Sequence, residues 1–187
     1  MAKYAWSDTH FWHKKIITPD FSENFRKFNT IHEHNDFIID AANSVVQPED
    51  TLWHMGDVFL WDSKDEAEVL LNMPVIMGKL KGKHKLIVGN HDTNAKIERY
   101  RPYFSKIVGY EEIIFGGNYK VMMSHIPIHP SQLKKRFVAN IHGHVHSDTL
   151  DDPRYINVSL EALDKYVPVR LNDLIDKRVR PLLIPNE

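Results

Sequence analysis

The chain contains no cysteine. That absence excludes disulfides, thiolate metal sites and a cysteine nucleophile. It also contains no apolar run approaching the roughly 18 residues that a membrane-spanning helix needs, so no membrane association is expected. The opening residues, MAKYAWSDTH, lack the charged-then-apolar plan of a secretory signal, and the sequence predicts a cytoplasmic protein. An excess of either charge is missing too: 24 Lys and Arg stand against 25 Asp and Glu, a net charge of -1. A broad nucleic-acid footprint is therefore not favoured. The local basic runs KLKGKHK (79–85) and LKKRF (133–137) read as solvated faces. There is no internal repeat, low-complexity tract or Gly/Ser/Pro-rich linker. Residues 1–187 read as one domain, long enough for a real core.

What the chain does have is histidine, 12 residues of it. Three of them, His142, His144 and His146, fall within the stretch IHGHVHS. Imidazole is the commonest metal ligand and the usual acid or base near neutral pH. An excess means little if scattered, but here the histidines recur in polar turns that follow short apolar runs. KYAW leads into SDTHFWH, DTLWHM into GDVF, HKLIV into GNHD, YKVMM into SHIPIH, and FVANI into HGHVHS. Such leaders, rich in Val, Ile, Leu, Met and aromatics, read as buried strands.

Helical patterns lie between them. Residues 30–46 place Ile31, Ile38, Ala41, Ala42 and Val45 near a 3.6 period, and Thr30 with Glu33 fits a capping box. Residues 63–73 open with Ser63 and Glu66 in the same relation. A shorter helix is predicted over 93–104, broken by Pro102. RYINVS (154–159) and YVPVRL (166–171) read as strands before a terminal helix, NDLIDKR. The first half thus alternates strand and helix, and the second is mostly strands. This predicts an α/β domain with a mixed sheet or a two-sheet core, its site along one edge of strand ends.

The five turns supply Asp8 and His10, Asp57, Asn90 with His91 and Asp92, His125, then His144 and His146. Mixed oxygen and nitrogen donors without thiolate suit Mn, Fe, Zn, Ni or Co and are too nitrogen-rich for Mg or Ca. They are too many for one tetrahedral ion and suit two ions sharing a carboxylate. On an extended segment residues i and i+2 point the same way, which pairs Asp8 with His10 and His144 with His146. His142 shares that parity but lies on the strand side of Gly143, and reads as a supporting or core residue. Gly56, Gly89 and Gly143 precede ligands, where the backbone must turn sharply.

Read in order, SDTH (7–10), GDVF (56–59), GNHD (89–92), SH (124–125) and GHVH (143–146) resemble the calcineurin-like metallophosphoesterase family. SDTHFWHKKII, the segment from RKFNTIHEHN to GDV, and GKHKLIVGNHD are similar to its small single-domain bacterial and phage members. Trp12 departs from the glycine expected beside His10. The resemblance implies a four-layer αββα sandwich of two mixed β-sheets flanked by helices. It implies two divalent transition-metal ions, Mn2+ foremost. Asp8, His10 and His146 would hold the first and Asn90, His125 and His144 the second, with Asp57 bridging.

Two such ions can bridge a hydroxide and clamp a phosphoryl group for in-line attack. His91, beside Asn90, is expected to serve the leaving oxygen, with Asp92 orienting it. His13, Arg26 and His54 are candidate substrate contacts, although a surface salt bridge is the plainer expectation for Arg26. His32, His34 and His84 are expected on the surface. Phe11, Trp12 and Trp61 could stack on a base, but core packing is the stronger expectation. The favoured activity is a phosphodiesterase acting on a small nucleotide-type diester. A phosphomonoesterase acting on nucleotide or phosphoprotein is an alternative. It is weakened because Val58, not arginine, follows Gly56-Asp57. A nuclease would need a capping domain, and a non-catalytic scaffold should have lost ligands. The oligomeric state is not legible.

Overall fold

The computed structural model describes residues 1–19, 25–134 and 136–183. Lys135, in the second basic run, lies outside them. Four parallel strands, β1 (Lys3–Trp6), β2 (Thr51–His54), β3 (Lys83–Ile87) and β4 (Ile107–Val108), join the antiparallel β9 (Val169–Arg170). The five-stranded sheet has the order β4-β3-β2-β1-β9. A second sheet, in the order β5-β6-β7-β8, holds β5 (Tyr110–Phe115), β6 (Tyr119–Ser124), β7 (Ala139–His142) and β8 (Tyr155–Asn157). Only the β5–β6 pairing in it is antiparallel. Both sheets are mixed and helices flank them, as the sandwich expectation requires.

Period-two alternation builds the layers. On the first sheet Trp6, Leu52 and Leu86 face helices α1 (Ile31–Asn43), α2 (Glu66–Lys79) and α3 (Asn94–Tyr100). Their neighbours Ala5, Trp53 and Ile87 face the other way. There they meet Val121, Met123, Ala139, Ile141 and Ile156 of the second sheet in one apolar core. The terminal helical segment, which begins with α4 (Leu171–Leu174), closes this core with Leu171, Leu174, Ile175 and Val179. No helix among the described residues is long and apolar enough to cross a membrane.

The helices differ from expectation in instructive ways. Thr30 caps α1 by accepting from the Glu33 N–H at 3.1 Å. The Glu33 carboxylate reaches past the cap to the Asn29 N–H, at 3.0 Å. Ser63 begins a 3-10 turn (Ser63–Asp65) instead of capping α2, and α2 runs through Pro74 to Lys79. Proline removes one helical hydrogen bond. Burial of Met73, Ile76 and Met77 on the face toward the sheet offsets that loss. Strands β4 and β5 were not expected. Their sequence, IVGYEEIIF, carries two acids that Lys106, Lys120 and Arg136 pair.

Candidate metal centre

The predicted metal ligands lie in turns after β1, β2, β3, β6 and β7, at one edge of the molecule. There the two sheets are tied together. Ser7, just past β1, donates its N–H to Val158 O at 2.8 Å, and its hydroxyl donates to Met55 O at 2.8 Å. The turn after β1 then runs beside the turn after β2. His10 N–H donates to Asp57 O at 3.0 Å and Phe11 N–H to Val58 O at 2.9 Å.

The side chains converge by a route that strand parity does not describe. Asp8, His10, Asp57, His144 and His146 all have positive φ, between 47° and 73°. This left-handed region is uncommon for residues with a Cβ, and it clusters at functional sites. Trp12, where glycine was expected, has φ 67° and is buried. The glycine expectation thus found a real conformational demand, which here a tryptophan meets at some cost.

Two groups of donors result, each with its atoms within 4.8 Å of one another. Asp8, His10 and His146 form one, and Asp8, Asp57 and His125 the other. The rings of His10 and His146 stack at 5.1 Å between centroids. His144 lies edge-on to His125 at 5.2 Å, and its backbone N–H donates to Asp8 Oδ2 at 2.9 Å. Asn90 Oδ1 is 2.9 Å from His125 Nε2. His144 and His146 therefore sit on opposite sides of Asp8. Asp8 is common to both groups, and Asp57, the expected bridge, belongs to the second.

The donor chemistry fits divalent transition ions. Among the described residues, Asp8 Oδ1 and both ring nitrogens of His10 are buried without a hydrogen-bond partner, although each nitrogen or oxygen of this kind is costly to bury unpaired. Glycines let the turns close on the cluster. A Cβ on Gly89 would meet Asp57 Oδ1 at 2.2 Å, and one on Gly143 would meet Ser7 Oγ at 1.9 Å.

Supporting partners fix the imidazoles. His125 Nδ1 lies 2.8 Å from Met55 O, which leaves Nε2 for the cluster. His146 Nδ1 lies 3.0 Å from Glu161 Oε1. Burial lowers the basicity of His125, but Asp57 and Asp8 more than offset it and raise its pKa to about 9. Burial acts upward on Asp57, but the hydrogen bond and charge of His125 and those of His91 together outweigh it and leave the carboxyl below its usual range. His10 is held well below an ordinary histidine by burial and by the Arg26 charge.

The remaining predicted residues divide. His13 lies beside His10, ring centroids 5.4 Å apart, and burial with the Arg26 charge lowers its pKa to about 4. His91 is exposed at the mouth, 6.0 Å from the His10 ring, and its N–H donates to Asp57 Oδ1 at 2.9 Å. Asp92 does not orient the His91 ring. Its Oδ2 accepts from Asp57 N and Gly89 N, its Oδ1 from the Tyr100 hydroxyl at 2.6 Å, so it ties two turns together.

Arg26 is neither a phosphate ligand nor a surface ion pair. It is 1% exposed and donates to Asp8 O at 2.6 Å, Thr9 O at 2.9 Å and Glu161 Oε1 at 2.8 Å. His54 is not a substrate contact. It is buried on the helix side of β2, between Trp6 Nε1 at 3.2 Å and His84 Nδ1 at 3.1 Å. His34 and His84, expected on the surface, are buried as well. Glu161 was not foreseen; in SLEAL nothing marks it, and it meets His146 and Arg26 only through the fold.

No family model matches the chain. The chain is 34% identical over 185 residues to the uncharacterized protein MJ1445 of Methanocaldococcus jannaschii, covering 94% of this chain and 90% of that protein. It is 26% identical over 193 residues to the gene 66 protein of Mycobacterium phage D29, covering 87% and 89% respectively. Among solved structures, the protein of unknown function AQ665 from Aquifex aeolicus matches with a TM-score of 0.68 at 29% identity. That match spans 94% of this chain and 98% of that one.

Proposed function

The chain belongs to the family of the Methanocaldococcus jannaschii protein MJ1445, and we propose that it is a dinuclear-metal phosphoesterase that hydrolyses a small nucleotide-type diester. One observation supports the reading above others: two donor groups share Asp8, and the donor atoms Asp8 Oδ1 and His10 Nε2 are buried with no hydrogen-bond partner among the described residues. Asp8, His10 and His146 would hold one ion, and Asn90, His125 and His144 the other, with Asp57 between. When bound, two such ions, Mn2+ foremost, supply an activated water and neutralise charge on the phosphoryl oxygens.

The chain's own residues do the rest. Glu161 and Met55 O hold His146 and His125 with Nε2 turned inward. Asp92 and Tyr100 fix the turn that carries Asn90 and His91. His91 stands at the open side, with its backbone anchored and its imidazole unburied. In our reading it donates a proton to the departing ester oxygen, the general-acid role. His13, kept neutral beside His10, contacts the phosphoryl group by hydrogen bonding without adding charge.

The test is hydrolysis of bis-p-nitrophenyl phosphate and p-nitrophenyl phosphate with added Mn2+, with bound metal counted in parallel. The diester is expected to be preferred. His91→Ala should keep two ions and lose about 100-fold or more of turnover. Loss of metal in that variant would remove His91 from the acid role. Preference for the monoester would replace the diesterase reading with a phosphomonoesterase.

A further inference from the structure

A cavity of about 320 Å3 opens beside His125, between the end of β3 and the start of β5. Its walls include Val88, Tyr110, Met122, Ile126 and Ile128, and one wall is His125 itself. Among the described residues, no acidic or strongly basic side chain lines it. The Ser124 hydroxyl, also on the wall, is used within the protein. It donates to Ile126 O at 2.8 Å and accepts from Asn140 Nδ2 at 3.0 Å. The cavity therefore offers hydrocarbon and one aromatic ring. Tyr110 and Ile126 are 54% and 51% exposed, so the aromatic ring and one aliphatic wall are open to a ligand.

The cavity and the cluster share one wall, His125. Its Nε2 faces Asp57 Oδ2 at 3.4 Å and Asn90 Oδ1 at 2.9 Å, while the residue also borders the cavity. An ester whose phosphoryl group sits at the cluster has this apolar space next to it. A charged substituent would find no partner there and would lose its hydration. A flat uncharged ring gains contact with Tyr110 and with the aliphatic walls.

We propose that this cavity receives a flat, uncharged aromatic substituent of the ester, a nucleobase in the natural substrate, stacked on Tyr110. The proposal rests on the phosphoesterase reading given above. It makes Tyr110 a specificity residue and Gly109 the residue that keeps the cavity open. Gly109 has no left-handed backbone, and a Cβ there would meet nothing within 4 Å. Gly109→Leu should therefore fill the space without straining the chain.

The experiment is titration calorimetry of Mn2+-loaded protein with adenosine monophosphate and, separately, with inorganic phosphate. The nucleotide should bind about tenfold or more tightly than phosphate. Gly109→Leu should erase that difference and leave phosphate affinity and metal content unchanged. Tyr110→Ala should reduce it. Equal binding of the two probes by the unaltered protein, or a difference that survives Gly109→Leu, would overturn the proposal. Failure to load metal or to bind phosphate would instead overturn the phosphoesterase reading. In that case the nucleotide titration of metal-free protein decides the cavity alone: binding sensitive to Gly109→Leu supports it, and no binding overturns it.

Discussion

His146 and Glu161 meet as imidazole and carboxylate, Nδ1 to Oε1 at 3.0 Å, across 15 residues of chain. Burial pushes the Glu161 carboxyl up, but the bond from His146 and the charge of Arg26 outweigh it and hold the pKa at about 2. An ionised carboxylate behind an imidazole fixes the ring's tautomer and strengthens its other nitrogen as a ligand. Glu161→Gln should weaken binding of one Mn2+ by about 10- to 100-fold and spare the other. Calorimetric metal titration reads this directly, and two unchanged affinities would show that Glu161 does not support the ligand.

Arg26 gives a prediction about stability. Its guanidinium is 1% exposed and serves Glu161 and the carbonyls of Asp8 and Thr9. Arg26→Met takes the guanidinium away from two backbone carbonyls and from a buried carboxylate that then keeps only His146 as a named side-chain partner. The expected loss is about 3–5 kcal/mol, measured as a shift in the urea midpoint. Adding Glu161→Gln should recover part of it, because the stranded charge is then gone. A loss below about 1 kcal/mol would place Arg26 among ordinary surface ion pairs.

Gly143 tests the closure of the cluster by sterics alone, since its backbone is not left-handed. A Cβ there would stand 2.5 Å from Ser7 Cβ and 2.6 Å from Asp8 Oδ2. Gly143→Ala must push the histidine turn away from Asp8. Metal content after dialysis should fall well below that of the unaltered protein while the circular dichroism spectrum stays folded. Full metal retention would mean that the turn has slack the geometry does not suggest.

Acid should destabilise the fold in a defined window. Burial and the neighbouring Arg26 hold His34 at about 3, so the folded protein keeps it neutral. An unfolded histidine takes up a proton near pH 6.5. Between those values the unfolded chain binds the extra proton, and stability falls as pH falls, by about 1.4 kcal/mol per pH unit for each such group. Glu161 adds a loss in the same direction below pH 4.5, its folded pKa being lowered to about 2. Urea midpoints from pH 7 to pH 4 should show the slope, and His34→Gln should flatten it. An identical slope in that variant would assign the effect elsewhere.

The strands that carry the site were legible because each is a short apolar run ending in a polar turn. The cluster was legible because its chemistry is concentrated in those turns. Tyr110–Phe115 escaped because Glu111 and Glu112 break its pattern, and the ion pairs that pay for them come from Lys106, Lys120 and Arg136. Helix α2 outran its expected end because one proline costs less than a buried face of three side chains gains. Parity joined Asp8 to His10, which share a donor group, but it also joined His144 to His146, which the fold separates, because left-handed turns and not extended backbone aim these side chains. His34 was misread although it lies on the buried face of α1 with Ile31, Asn35 and Ile38, whereas Arg26 and Glu161 were misread or missed because 135 residues separate them. No local pattern carries a contact of that span.

Five proposed ligands stand where a side chain is least comfortable on the backbone. Glycine at any of them would relax the chain and stop it grasping an ion. Heat resistance and reactivity are thus set against each other at the same five positions. A laboratory selection that rewarded only survival at high temperature would be drawn to those positions, and the molecules it returned would be sturdier and inert.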